Sequence, residues 1–281
     1  MSLHNLDGFF EVVYPLITAF ALAVARVLGV VLITPAFNRL GLTGMLRAAV
    51  AVVIAVPVAP AVFQALSAIE APSGFMLSGL LAKEMLVGLL IGLMFGIPFW
   101  AAEVAGELID LQRGATMAQL LDPLGSGESS ITATLLSITL TALFFMSGSF
   151  SLLLDALYRS YQLWPAFDFS PIVNQAMALA TLNLLDNVME VGVMMIAPII
   201  IALLVADLLL AYLSRMTPQL HLFDLSLPVK NLVFAFLMVV YVGFLLPIFF
   251  TQLGQLRGQF SVLEMAAKAP QPLSMEGSVR E

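Results

Sequence analysis

Charged residues are so sparse along this chain that they divide it into long apolar runs. Six runs stand out, covering residues 12–35, 48–69, 76–102, 129–154, 191–213 and 231–256. Three contain charge: Arg26 in the first, Lys83 and Glu84 near the start of the third, and Asp207 in the fifth. The other three contain none. Each is near or above the ~20 residues that a helix needs to cross hydrocarbon. Strands of a membrane barrel would be about half as long and would alternate polar with apolar positions. The pattern predicts an all-α, polytopic membrane protein with about six hydrophobic helical segments. A single helical membrane domain is expected over residues 1–256, with a polar, mobile tail over 257–281 containing Pro270 and Pro272. Two longer connections are expected, at 103–130 and 155–190. The second holds Pro165, Pro171 and an aromatic group, Tyr158, Tyr161 and Trp164, expected at a membrane interface.

Composition agrees. Of 281 residues, 61% are hydrophobic and 10% charged, against about 25% charged in a soluble domain; mean hydropathy is +1.03. That excludes an ordinary soluble enzyme, a disordered protein and a nucleic-acid binder. The net charge of −7 comes with no basic tract, so neither nucleic acid nor an anionic lipid surface is indicated as the main partner. With no cysteine, disulfides, Cys-zinc sites and thiol nucleophiles are ruled out. The N-terminal residues carry Asp7 but no Lys or Arg. No positive n-region or cleavage site is evident, so the first run is expected to be retained. Orientation signals conflict. Arg39 and Arg47 place the first loop in the cytoplasm, yet six full spans put Arg257, Lys268 and Arg280 outside. Either one segment does not cross fully, or the helices sit within a protein assembly.

Several groups of residues are candidates for function. Glu84, Gly88, Gly92 and Gly96 recur every four residues and share one helix face, where glycines let another backbone approach closely. That backbone belongs either to a partner subunit or to this chain. Arg26, Glu84 and Asp207 lie in apolar surroundings, where a charge costs at least about 2.5–3.5 kcal/mol. They form an ion pathway in a transporter, or buried pairs in an assembly. Ser130, Thr134, Ser137 and Thr141 form a hydroxyl stripe, read as a packing surface rather than the wall of a conduit. The most polar stretch runs over 105–115 (Ala-Gly-Glu-Leu-Ile-Asp-Leu-Gln-Arg-Gly-Ala) and on to Asp122-Pro123-Leu124-Gly125-Ser126-Gly127. Gly114, Gly125 and Gly127 permit unusual backbone angles, and Pro123 restricts Asp122, so a shaped loop is expected. His4 and His221 are the only histidines, and neither HExxH nor a phosphate-binding GxxxxGK occurs. No catalytic residue, metal site or cofactor is assigned.

In order and spacing these residues resemble the SctT/FliR family of type III secretion and flagellar export-gate proteins. The resemblance covers roughly 19–247. It includes Arg26-x-x-Gly29, Pro35, Arg47 and Pro57, then Lys83-Glu84-x-x-x-Gly88-x-x-x-Gly92. Its most specific part is the 105–115 segment followed by Asp122-Pro123. Ala197-Pro198, Asp207, Leu213-Ser214-Arg215-x-x-Pro218-Gln219-Leu220-x-x-Phe223 and Pro228-x-Lys230 complete it. Gln112-Arg113-Gly114-Ala115 and Ser147-Gly148-Ser149 are closer to the injectisome (SctT) branch; Asp122-Pro123 is closer to the flagellar one.

The resemblance implies a non-enzymatic gate subunit joined to SctR-like and SctS-like subunits in the bacterial inner membrane, partly above the bilayer plane on the periplasmic side. Such a gate admits unfolded export substrates, driven by the proton gradient and an ATPase on other subunits. An SctU/FlhB-like switch protein and an SctV-like exporter are implied partners, with secreted polypeptides in transit and membrane lipid. The plug of the pore would fall on Gly106, Glu107, Gln112, Arg113, Gly114, Asp122, Pro123, Gly125 and Gly127. Subunit packing would fall on Arg26, Glu84, Gly88, Gly92, Gly96, Asp207, Arg215, Pro218, Gln219 and Lys230. The alternatives are a secondary transporter using Arg26, Glu84 and Asp207, and a membrane scaffold without a conduit.

Overall fold

The computed structural model describes residues 3–67, 72–115, 130–169, 175–216 and 222–268. All regular structure among the described residues is helical, in the order α1 (Leu3–Ile33), α2 (Pro35–Arg39), α3 (Gly44–Ala55), α4 (Ala59–Ser67), α5 (Gly74–Arg113), α6 (Ile131–Met146), α7 (Ser149–Leu163), α8 (Gln175–Met216) and α9 (Leu222–Lys268).

The third apolar run forms the axis of the molecule. α5 is apolar on nearly all sides, the mark of a helix enclosed by others. It packs against α1, α6, α8 and α9, and α9 in turn lies along α8. Ser73 caps its start, accepting from the Met76 N–H at 3.3 Å. Gly114 ends it at φ +82°, in the left-handed region that glycine enters without a Cβ penalty. The Gly114 N–H reaches Leu111 O at 3.1 Å, and the Ala115 N–H reaches Asp110 O at 3.0 Å.

Two of the six apolar runs are broken. Over 48–69 the chain bends by 65° between α3 and α4, and over 129–154 by 70° between α6 and α7. Pro57 causes the first break, since it has no N–H to continue the ladder; the Val58 N–H instead bonds Ala55 O at 3.1 Å. Gly148, at φ +80°, turns the second. Four helices are long and apolar enough to cross a membrane alone, and the two bent pairs bring the number to six among the described residues.

Three boundaries differ from expectation. The connection at 103–130 does not begin until Gly114, because α5 continues through Arg113. Glu103, Glu107 and Asp110 make that stretch polar without breaking the helix. The connection at 155–190 shrinks to its centre, since α7 runs to Leu163 and α8 starts at Gln175. The tail is helical as far as Lys268. Charge marks where a helix leaves an apolar environment, which is not where it ends. As a result α5, α8 and α9 have 40, 42 and 47 residues. At 1.5 Å per residue these are about 60–70 Å long, roughly twice the ~30 Å hydrocarbon core.

Candidate functional site

Two polar centres lie along α5. Near its N-terminal half, α1 approaches so closely that glycines are required on both helices. A Cβ on Gly29 would stand 2.5 Å from Met85 O, and one on Gly92 2.8 Å from Val30 O; at Gly88 it would collide with Arg26 O. The glycine face is therefore occupied by this chain's own α1. Gly96, the fourth member, faces the indole of Trp100 on its own helix.

This contact brings Arg26 and Glu84 together with no exposed side-chain surface on either. Arg26 donates through Nε to Glu84 Oε2 at 2.7 Å and through Nη2 to Oε1 at 3.0 Å. The same guanidinium donates to Ser160 Oγ at 2.9 Å and to Trp164 O at 2.7 Å, and stacks 3.7 Å from the centroid of Tyr161. Lys83 pairs with Glu84 at 2.8 Å. It also donates to the carbonyls of Pro165, Ala166 and Asp168 at 2.5, 3.0 and 3.1 Å. Two cations thus satisfy the carbonyls that leave the C-terminus of α7, where positive charge is favoured, and one carboxylate pairs with both. The aromatic group expected at a membrane interface is buried at Trp164 and half-buried at Tyr158 and Tyr161. Tyr161 Oη donates to Ala23 O at 3.3 Å and Tyr158 Oη to Ile54 O at 3.2 Å. Their hydroxyls serve the backbone of α1 and α3 instead of the headgroup region.

The second centre lies at the C-terminal end of α5. Asp110 is buried and accepts from Ser130 Oγ at 2.5 Å, the Thr132 N–H at 3.2 Å, Thr132 Oγ1, and Arg113 Nε at 2.8 Å. Ser130 also caps α6, accepting from the Ala133 N–H at 3.0 Å. Gly106 lies against the Thr132–Ala133 backbone, leaving no room for a Cβ. The end of α5 and the start of α6 are therefore held together by one carboxylate. Beside this clamp, Lys230 pairs with Asp207 at 2.6 Å and donates to Gln112 O at 3.2 Å. Gln112 Nε2 donates to Asp207 Oδ2 at 3.2 Å. Arg113 reaches Asn231 Oδ1 at 3.3 Å and covers Phe234 at 4.6 Å.

Residues singled out in three separate segments thus meet at one end of the molecule: Gln112, Arg113 and Gly114 from α5, Asp207 from α8, and Lys230 from α9. Gly106, Glu107, Gln112 and Arg113 are helical, and Glu107 is exposed. Arg215 is exposed in the last turn of α8. Asp122, Pro123, Gly125, Gly127, Pro218 and Gln219 lie outside the described residues. Arg26, Glu84 and Asp207 do not form one pathway, because Asp207 belongs to the second centre and the other two to the first. Within the hydroxyl stripe, Ser137 and Thr141 are buried, and Thr141 Oγ1 bonds back to Ser137 O at 2.8 Å. Thr132 and Ser160 were not singled out in the sequence, and Asp110 only as part of the 105–115 stretch. A Ser or Thr just before an apolar run is a cap signal, but nothing local links it to a carboxylate 20 residues earlier.

Helices that bury charge against opposite charge and leave apolar surface on their outer faces define a multi-pass helical membrane protein. Residues 17–256 match the family described as "Bacterial export proteins, family 1". The chain is 38% identical over 229 residues to Yop proteins translocation protein T of Yersinia pestis, covering 81% of this chain and 86% of that one. It is 29% identical over 242 residues to surface presentation of antigens protein SpaR of Salmonella typhimurium, covering 85% and 88%. It is 29% identical over 210 residues to flagellar biosynthetic protein FliR of Caulobacter vibrioides, covering 75% and 82%. The chain belongs to this family of export proteins, the SctT/FliR family of type III secretion, and is a multi-pass inner-membrane protein.

Proposed function

We propose that the chain is a non-catalytic subunit of a type III export gate. With SctR-like and SctS-like subunits it forms the inner-membrane channel through which unfolded polypeptides leave the cytoplasm. The observation that carries this reading is the mismatch between helix length and bilayer. α8 and α9 exceed a bilayer span by about twofold, and outside the apolar runs 191–213 and 231–256 they still present exposed apolar residues, among them Leu182, Met189, Val262 and Met265. Apolar surface that extends beyond hydrocarbon must be covered by protein. Part of the assembly then stands above the bilayer plane, on the periplasmic side. An SctU/FlhB-like switch protein and an SctV-like exporter complete the apparatus.

The segment that joins α5 to α6 is read as the plug. Gln112 and Arg113 anchor its first end through contacts within the chain, and Asp122, Pro123, Gly125 and Gly127 belong to the segment itself. A plug that substrate displaces is favoured in its closed position by only a few kcal/mol. Deleting residues 119–127 is expected to leave the complex assembled but leaky to ions. The test is ion flux across the inner membrane of cells expressing the complete gate, with complex yield measured alongside. Unchanged leak in a deletion that still assembles reduces the segment to a connecting loop. Failure to co-purify with SctR-like and SctS-like partners overturns the gate reading itself.

A further inference from the structure

A groove of about 420 Å³ runs between α4 and α7, adjoining the first polar centre. Pro57, Val58, Ala61 and Ala65 form one wall, and Tyr158 and Tyr161 the other. Pro165 and Ala166, the turn whose carbonyls Lys83 holds, also line it. Its volume lies within the range of small-ligand sites, but it offers a ligand very little polarity. Both phenol hydroxyls are already committed, Tyr158 to Ile54 O and Tyr161 to Ala23 O. Gln162, exposed at one edge, is the amide that lines it. A polar solute would therefore lose its hydration and gain few hydrogen bonds, whereas methylene groups fit the lining.

The surroundings point to where such an occupant comes from. α3 and α4 together make one of the bent candidate spans. Val53 and Val56, which lead into the Pro57 break, are 69% and 54% exposed. The groove thus continues the apolar outer surface of a membrane segment. Along its other edge α7 carries a polar stripe, with the exposed Asp155–Arg159 pair at 3.0 Å and Gln162 one turn on. Apolar lining beside a polar stripe is the arrangement of a helix at a bilayer interface.

We propose that this groove holds one acyl chain of a membrane phospholipid, with the lipid's polar end toward Gln162. The chain end then rests on Pro165 and Ala166 and buttresses the turn that Arg26 and Lys83 hold from within.

The cleanest probe is Trp164, which adjoins that turn. The protein has two tryptophans, so Trp100→Phe leaves Trp164 as the only indole. The full chain is reconstituted into dioleoylphosphatidylcholine vesicles containing a rising fraction of the same lipid brominated on its acyl chains. Trp164 fluorescence is expected to be quenched. Quenching should weaken in Ala65→Val and be lost in Ala61→Leu/Ala65→Leu, with far-UV helicity unchanged. Should the double variant lose helicity, Ala65→Val decides. Equal quenching in the parent and Ala65→Val, or none in the parent, overturns the proposal. The same measurement on the complex with its partner subunits separates lipid from protein. Retained quenching supports an acyl chain, and loss on assembly shows that a polypeptide fills the groove instead, which also overturns it.

Discussion

Glu84→Gln tests the buried network most directly. The substitution preserves shape and removes one charge. In the native protein that carboxylate receives two N–H groups of Arg26 and the ammonium of Lys83. Arg26 and Glu84 have 0% side-chain exposure and Lys83 has 6%, so solvent cannot compensate. Without the carboxylate, two buried cations are left with no anion on α5 nearer in sequence than Glu103, and the glutamine NH₂ faces a guanidinium donor. Removing one partner of a buried pair costs about 3–5 kcal/mol, and the second cation places this case at the upper end. That is a large share of the roughly 5–15 kcal/mol by which a protein is stable. Arg26→Met removes one cation and leaves Lys83 as partner to Glu84, but deprives Ser160 Oγ and Trp164 O of their donor. The double variant should therefore lose less than the sum of the two, by about 0.5–3 kcal/mol. The assay is helicity during titration of the detergent-solubilised chain with dodecyl sulfate, using Glu103→Gln as reference. Glu103 pairs with Arg39 in a partly exposed bridge and should cost only about 0–1 kcal/mol. A Glu84→Gln loss no larger than that of Glu103→Gln, or strict additivity with Arg26→Met, refutes the reasoning.

The remaining expectations use the same measurement. Gly88→Leu should prevent the close approach of α1 to α5 and unfold the chain at much lower denaturant, whereas Gly254→Ala, where nothing lies within 4 Å, should stabilise it by about 0.5–1 kcal/mol through helix propensity. Equal behaviour of the two would remove the α1–α5 contact as the organising interface. Asp110→Asn should cost about 1.5–3 kcal/mol, the range for a hydrogen bond to a charged group, and Ser130→Ala less; a silent Asp110→Asn would mean that the clamp is not formed. Asp207→Asn keeps the hydrogen bond from Gln112 and loses only a bridge whose acid is 34% exposed, so a cost of no more than about 1 kcal/mol is expected. A loss as large as that of Glu84→Gln would show Asp207 to be buried by something else.

Some of the candidate site was legible one residue at a time. Arg26 and Glu84 were conspicuous because charge in an apolar run needs a partner, and their mutual pairing is the simplest outcome. The Gly88–Gly92 spacing announced a close helix contact but not whose helix it was; Gly29 on α1 is the complementary half, and one glycine gives no periodic signal. The aromatic residues of 158–164 were placed at an interface because an indole or phenol has a polar end. In the fold those ends find Ile54 O and Ala23 O, carbonyls more than 100 positions away.

What the sequence determined by itself is the membrane class, the number of apolar segments and the family, because each follows from local composition or from the order of short motifs. Helix ends at Gly114 and Gly148 and the break at Pro57 are local too, since one residue's φ or missing N–H decides them. Tertiary structure decided the rest. It decided that α5 continues through its charged turns, because Glu103 and Asp110 find partners on α2 and at the start of α6. It also gathered Gln112, Asp207 and Lys230 into one cluster. The physical reason is that a buried charge specifies only that it must be neutralised, and the packing of long helices selects which of many distant groups does it.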